Sequence, residues 1–157
     1  MQMPKPWVIL LALLLLAPAG CTRSVPTFPT PSVPVPSSAP PFVTAGADVA
    51  LPQLVASERD AAIRGDRLLL AELWAPAARI VDSRGTPAPE DDFIWAGRAA
   101  ILDRYDLAVF PSPPPAFASP PAFTPQVAGN AAAAELGNDH WRFQWDGQRW
   151  WLLELRY

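Results

Sequence analysis

The chain has 157 residues, half of them hydrophobic, which is room for one domain with accessory segments. Its formal charge is −3, with 12 Lys and Arg against 15 Asp and Glu, so no basic field points to nucleic acid. One Cys excludes an internal disulfide and a thiolate metal cluster, and one His leaves a zinc site short of ligands, so neither a metal nor another cofactor is expected.

Residues 1–20 read as an export signal. Lys5, the one lysine of the chain, lies in a short charged region, and Trp7 to Ala17 is an apolar run ending in small residues. That run is too short to span a bilayer as a helix, which needs about 20 residues. Cys21 follows at once in Ala17-Pro18-Ala19-Gly20-Cys21. The segment resembles the lipobox of bacterial lipoproteins, with Pro18 where that pattern has an aliphatic residue. The resemblance implies cleavage before Cys21, diacylation of its sulphur and a lipid-anchored, extracytoplasmic protein at a cell membrane or cell surface. Two acyl chains suffice for stable anchoring, at about 0.8 kcal/mol per buried CH₂. Residues 21–46 are rich in Pro, Ser, Thr and Val without an apolar period, so they read as an extended spacer, rising about 3.1 Å per residue in polyproline II.

The folded domain is expected over residues 47–157. Leu51, Leu54, Val55, Ala61 and Ala62 recur at helical spacing through Ala50 to Arg64, with Pro52 in the first turn and Gly65 as the stop. Asp66 then caps a second helix whose apolar side is Leu68, Leu69, Leu70, Leu73 and Trp74, ended by Pro76. Arg79 to Arg84 reads as a first strand, Gly85 to Asp92 as a loop and Phe93 to Trp95 as a second strand. Gly97 opens a third helix over Arg98 to Phe110, stopped by Pro111. Prolines interrupt the stretch from Pro111 to Pro125. Gln126 to Gly137 is read as a strand of a meander despite its alanine run.

The last nineteen residues hold four of the seven tryptophans, in two aromatic runs separated by Asp146-Gly147, the signature of a hairpin. The cleanest sorting of side chains places Gln144 opposite Gln148, with Gly147 as a left-handed bulge residue. Trp141, Phe143, Trp145, Trp151, Leu153, Leu155 and Tyr157 then share one face. His140, Arg142, Gln144, Gln148, Trp150, Leu152 and Glu154 share the other.

The order of elements gives an α+β class. Ala61-Ala62-Ile63-Arg64-Gly65-Asp66, Leu73-Trp74-Ala75-Pro76-Ala77-Ala78-Arg79-Ile80, Trp95-Ala96-Gly97-Arg98-Ala99-Ala100-Ile101, and Asp146-Gly147 with Trp150 and Trp151 resemble the nuclear transport factor 2-like superfamily in its SnoaL-like branch. The resemblance spans Leu51 to Tyr157. It implies a cone-shaped, curved antiparallel sheet packed on about three helices, with a pocket at the open end and often a homodimer through the sheet. Its members include ketosteroid isomerases, polyketide cyclases and dehydratases, and non-catalytic binding domains. Where many relatives carry an acid between Pro76 and Arg79, this chain has Ala77 and Ala78.

Two residues are candidates for a general base. His140 has the one side chain that ordinarily titrates near neutrality, with Glu154 diagonal to it in the expected register; it reads more readily as a surface histidine on the convex side of the sheet than as a catalytic base. Asp82 alternates with Val81 on the first strand and could point into the cone. Glu90, Asp91 and Asp92 lack the spacing of a calcium loop and read as a solvated turn. Trp95, Tyr105, His140, Arg142, Trp150 and Glu154 are the candidate ligand contacts, with most of the aromatics doubling as core. The resulting expectation is a membrane-tethered domain that binds a small apolar molecule or a protein partner without catalysis. The alternative is an isomerase, cyclase or dehydratase using Asp82 or His140.

Overall fold

The computed structural model describes residues 40–157. The export signal, Cys21 and the spacer up to residue 39 lie outside them. The last residues of the expected spacer do not: Pro41–Thr44 forms a 3₁₀ turn whose Val43 is fully buried against the core, so the folded body starts ahead of residue 47.

Helix α1 spans Ala47–Arg64 and buries Leu51, Leu54, Val55, Glu58, Ala61 and Ala62 along one stripe. It begins three residues earlier than the apolar period suggests, so Pro52 lies in the second turn, where it leaves the Asp48 carbonyl without its i+4 donor. Gly65 closes the helix at φ +67°, a left-handed conformation that a side chain would strain. The N–H of Asp66 then returns to the Ala61 carbonyl at 2.9 Å. Asp66 also accepts from the Leu69 N–H at 2.9 Å, capping α2 (Arg67–Leu73) as expected.

Trp74 does not continue α2. It opens β1 (Trp74–Asp82), which starts five residues before the expected strand. Pro76 biases the residue before it toward extended backbone, and Trp74 and Ala75 are buried in that conformation. Pro76 itself has no N–H to donate, and the ladder between β1 and the last strand is irregular between Trp74 and Arg79. β2 (Phe93–Ala96) pairs antiparallel with β1. The expected third helix is two pieces, α3 (Arg98–Arg104) and a π-helical turn, Tyr105–Val109, in which the Phe110 N–H bonds to the Tyr105 carbonyl at 2.8 Å. Residues i and i+5 become neighbours in that geometry, and the Tyr105 and Phe110 rings lie 5.9 Å apart.

The alanine run is extended, but the single expected strand is two: β3 (Gln126–Ala128) and β4 (Ala131–Leu136), reversed at Gly129-Asn130. β5 (Asp139–Trp145) and β6 (Trp150–Arg156) form the terminal hairpin. The six strands make one curved open sheet in the order β2-β1-β6-β5-β4-β3, antiparallel except for β1 on β6, with the helices packed on its inner face. This is the expected α+β architecture.

The register of the hairpin differs from expectation. Trp145 pairs with Trp150, Gln144 with Trp151 and Phe143 with Leu152, and beyond a bulge Arg142 pairs with Glu154 and His140 with Arg156. The loop is therefore four residues long, and the extra residue sits at Leu153. Asp146 builds that loop by accepting from the N–H groups of Gln148 (2.8 Å) and Arg149 (2.9 Å) and from the Trp151 indole at 2.7 Å. The bulge reverses the alternation, so Trp150 and Leu152 face the core and Trp151 faces out, opposite to the assignment made for them. Four consecutive apolar residues from Trp150 to Leu153 conceal such a shift, because either set could be the inner one.

The core centres on the fully buried Trp74, Trp141, Tyr105 and Phe143. Trp141 stacks on Trp74 at 6.3 Å and on Phe143 at 6.5 Å. The register makes a direct test: Leu152→Ala is expected to cost about 2–5 kcal/mol, the range for a buried leucine. Leu153→Ala should cost clearly less in the same denaturant titration, and the reverse order would contradict the bulge.

Candidate functional site

A cavity of about 330 Å³ opens between α1, the π turn and the sheet. α1 supplies Glu58 and Arg59, α3 and the π turn supply Arg104, Tyr105, Ala108 and Val109, and the sheet supplies Asp139, Leu155 and Tyr157. Polar groups come from both sides and share the lining with apolar Val109 from the π turn and Leu155 from the sheet, the mixture that small-molecule sites use to combine burial with orientation.

Glu58 occupies the apolar stripe of α1 and is only 6% exposed. The Tyr105 hydroxyl donates to its Oε1. Burial raises the Glu58 carboxyl above its ordinary range, against the Tyr105 hydrogen bond and the nearby Arg59 and Arg104, with a smaller push upward from Asp139. Burial and the Glu58 carboxylate hold the Tyr105 hydroxyl well above its ordinary value; Arg104 and the Trp74 indole N–H oppose this. That indole N–H is itself buried without a partner in hydrogen-bonding geometry. Asp139, at the head of β5, is also raised by burial, with Arg59 and His140 opposing. Two acids biased toward their neutral forms and one tyrosine thus converge on a single cavity.

The cations there are placed by aromatic rings rather than by acids. The Arg104 guanidinium lies over Trp95 (5.0 Å), Tyr157 (5.6 Å) and Tyr105 (5.7 Å), and its Nη2 donates to the Tyr157 hydroxyl at 2.8 Å. Arg59 lies 4.5 Å over Phe117 and donates from Nη1 to the Pro115 carbonyl at 3.0 Å. Neither arginine has a carboxylate within 4.0 Å among the described residues.

No family model matches this chain, and no curated protein does. Solved structures do. An NTF2-like protein with a cystatin-like fold from Novosphingobium aromaticivorans is 19% identical, with a TM-score of 0.50 over 68% of this chain and 77% of that one. An NTF2-like protein from Pseudomonas putida KT2440 is 15% identical, with a TM-score of 0.50 over 70% and 84%. A nuclear transport factor 2 superfamily protein from Salmonella enterica serovar Typhimurium is 14% identical, with a TM-score of 0.51 over 68% and 86%. The fold is the nuclear transport factor 2-like, cystatin-like one.

Within this NTF2-like fold the expected site residues divide. Tyr105 lines the cavity, and Trp95 borders it through Arg104. Trp150 faces the core instead of the outer side of the hairpin, 6% exposed and 5.5 Å from Trp145. His140, Arg142 and Glu154 lie on the outer face of the sheet. His140 meets Glu135, its direct partner on β4 (Nδ1 to Oε1, 3.3 Å), while Glu154 stays diagonal to it on β6 and pairs elsewhere. Glu154 instead accepts from Arg79 Nε at 2.6 Å and lies 3.8 Å from Arg142. Asp82 is half-buried at the end of β1 and accepts from the Arg84 N–H at 2.8 Å, which makes it a turn residue. A second groove, of about 430 Å³, runs beside His140 and Arg142, but its His140 and Glu135 side chains are more than half exposed. Among the described residues no three His, Cys, Asp or Glu side chains converge on a metal position.

Glu58, Arg59, Arg104 and Asp139 were absent from the expected site. One signal for Glu58 was present: it falls within the apolar stripe, four residues after Leu54 and three before Ala61. An acid on the buried face of a helix requires a partner, and that partner, Tyr105, is 47 residues away.

The raised Glu58 has a stability consequence. A carboxyl whose folded pKa exceeds its unfolded one favours the fold fully below the unfolded value, and that contribution is lost as pH rises through the folded value. Glu58→Gln is therefore expected to raise the thermal midpoint at neutral pH and to flatten its decline with rising pH, leaving the part that Asp139 contributes. Melting curves at several pH values above the ordinary carboxylate range check this; an unchanged slope would contradict it.

Proposed function

We propose that this chain is an exported, lipid-anchored domain that binds a small molecule in the cavity between α1, the π turn and the sheet. The observation that carries the reading is the convergence of Glu58, Tyr105, Arg104 and Asp139 on one cavity that the apolar Val109 and Leu155 also line. The Cys21 context and the proline-rich stretch after it support a tether that holds such a domain off a membrane.

A second reading is favoured by the raised acids. A carboxyl lifted toward neutrality beside a tyrosine suits general acid–base chemistry, so an isomerase or dehydratase would use Glu58 and Asp139 in place of Asp82 and His140. Binding that survives Glu58→Gln supports the first reading. A turnover of a bound compound that disappears in that variant supports the second.

Native mass spectrometry of the purified full chain is expected to show a retained small molecule that Ala108→Trp, which fills the cavity, displaces. Retention at full occupancy in that variant would exclude the cavity as the site. Cys21→Ser is expected to move the exported chain from the membrane fraction to the soluble one, and unchanged partitioning would exclude the anchor.

A further inference from the structure

The cavity has acids and arginines in near balance by count, but not by environment. Glu58 and Asp139 are both displaced by burial toward their uncharged forms. An arginine keeps its charge at any ordinary pH. Geometry sets the two cations apart: neither Arg104 nor Arg59 is neutralised by an ion pair among the described residues.

Arg104 is also held as a recognition group is held. Three aromatic rings surround its guanidinium and the Tyr157 hydroxyl accepts from Nη2, so its orientation is fixed while most of its five N–H donors have no acceptor among the described residues. A planar guanidinium fixed in this way matches a carboxylate through two parallel hydrogen bonds. We propose that the ligand of the cavity is a small monocarboxylate on a short apolar body, its acid group on Arg104 with Arg59 as the second cation, and its body against Val109 and Leu155. This rests on the small-molecule-binding reading above and names the ligand class for that site.

Other ligand classes fit less well. A neutral apolar compound would leave the two cations desolvated without a counter-charge, which is costly. A phosphate would bring no apolar body to the part of the lining that Val109 and Leu155 form. A monocarboxylate satisfies one fork and one wall, which is what the cavity offers.

The test uses the purified full chain and two acid and amide pairs, benzoate with benzamide and hexanoate with hexanamide, titrated by calorimetry. The acids are expected to bind at least about tenfold more tightly than their amides, a difference of about 1.4 kcal/mol. Arg104→Gln should remove that preference while leaving amide affinity near its original value, and Arg104→Lys should restore part of it, since charge returns without the fork. Arg59→Gln gives a smaller loss and serves if Arg104→Gln does not fold; the acid and amide comparison itself needs no variant. Equal affinity for acid and amide, no binding of either acid, or an acid preference that persists in a folded Arg104→Gln variant would overturn the inference. The binding reading stands or falls separately, on the molecule retained by the purified chain and displaced by Ala108→Trp.

Discussion

The hydrogen bond from Tyr105 to Glu58 is the constraint around which the helical layer is arranged. It joins the middle of α1 to the start of the π turn across 47 residues, between two residues that are almost fully buried. A buried acid without a partner costs far more than one with a partner, so breaking this contact from either side would leave an unmet group in the core. The π turn is part of the same arrangement. By making Phe110 a neighbour of Tyr105 it sets that ring near Gly65, where a Cβ on the glycine would come 4.0 Å from the Phe110 ring. The corner between α1 and α2, the polar centre of the cavity and the end of α3 are thus one packed unit. On the exposed side Arg67 ties α2 to the π turn through Asp106 at 2.8 Å.

The sheet completes the cavity through a single irregularity. Leu153, the extra residue in β6, lets Trp150 and Leu152 point inward on one side of it and Leu155 point inward on the other. Without the bulge the inward set before it would be Trp151 and Leu153, and Trp151 would leave its outer position. There its indole bonds to Asp146, and the Arg149 and Arg98 guanidinium groups lie over its ring at 3.9 and 5.4 Å. Asp146 is held below the ordinary carboxylate range by the Trp151 indole and by the backbone N–H groups of the loop. The same tryptophan therefore stabilises the four-residue loop and fixes which side of β6 faces the cavity. Beyond the bulge the outer face carries charge: Glu154 between Arg79 and Arg142, and Arg156 bonded through two nitrogens to Asp92 at 2.7 and 2.9 Å.

What was legible in the sequence was what local chemistry determines. The Gly65-Asp66 corner, the glycine and proline boundaries of the helices and the aromatic hairpin follow from backbone preferences and capping that act within a few residues. The misplaced features depend on contacts between distant residues. Whether Trp74 ends a helix or opens a strand is settled by its burial against Trp141, and the bulge at Leu153 by which of two equally apolar sets fits the core. The candidate site followed the same division. His140 and Asp82 attract notice by residue type, yet each is satisfied locally, by Glu135 and by the Arg84 N–H. Glu58 attracts little notice by type and is set apart by its environment.

That environment bears on why the acid is there. The stripe of α1 around Glu58 is leucine, valine and alanine, and an apolar side chain would continue it without desolvating a carboxyl. The fold instead keeps a group that lowers its stability as pH rises, placed where Arg104 and Asp139 share its cavity. Charge in such a space is coupled. In the binding reading, an anion seated against Arg104 would offset the positive charge that opposes protonation of Glu58, so that acid would bind its proton more tightly with the anion present. By linkage the anion would then bind more tightly where Glu58 is protonated. Glu58 is fixed by Tyr105, Asp139 is biased by Arg59 and His140, and Arg104 is fixed by its three rings. Under the proposed binding, proton uptake and ligand uptake would therefore be linked through Glu58, the buried carboxyl on an otherwise apolar helix face.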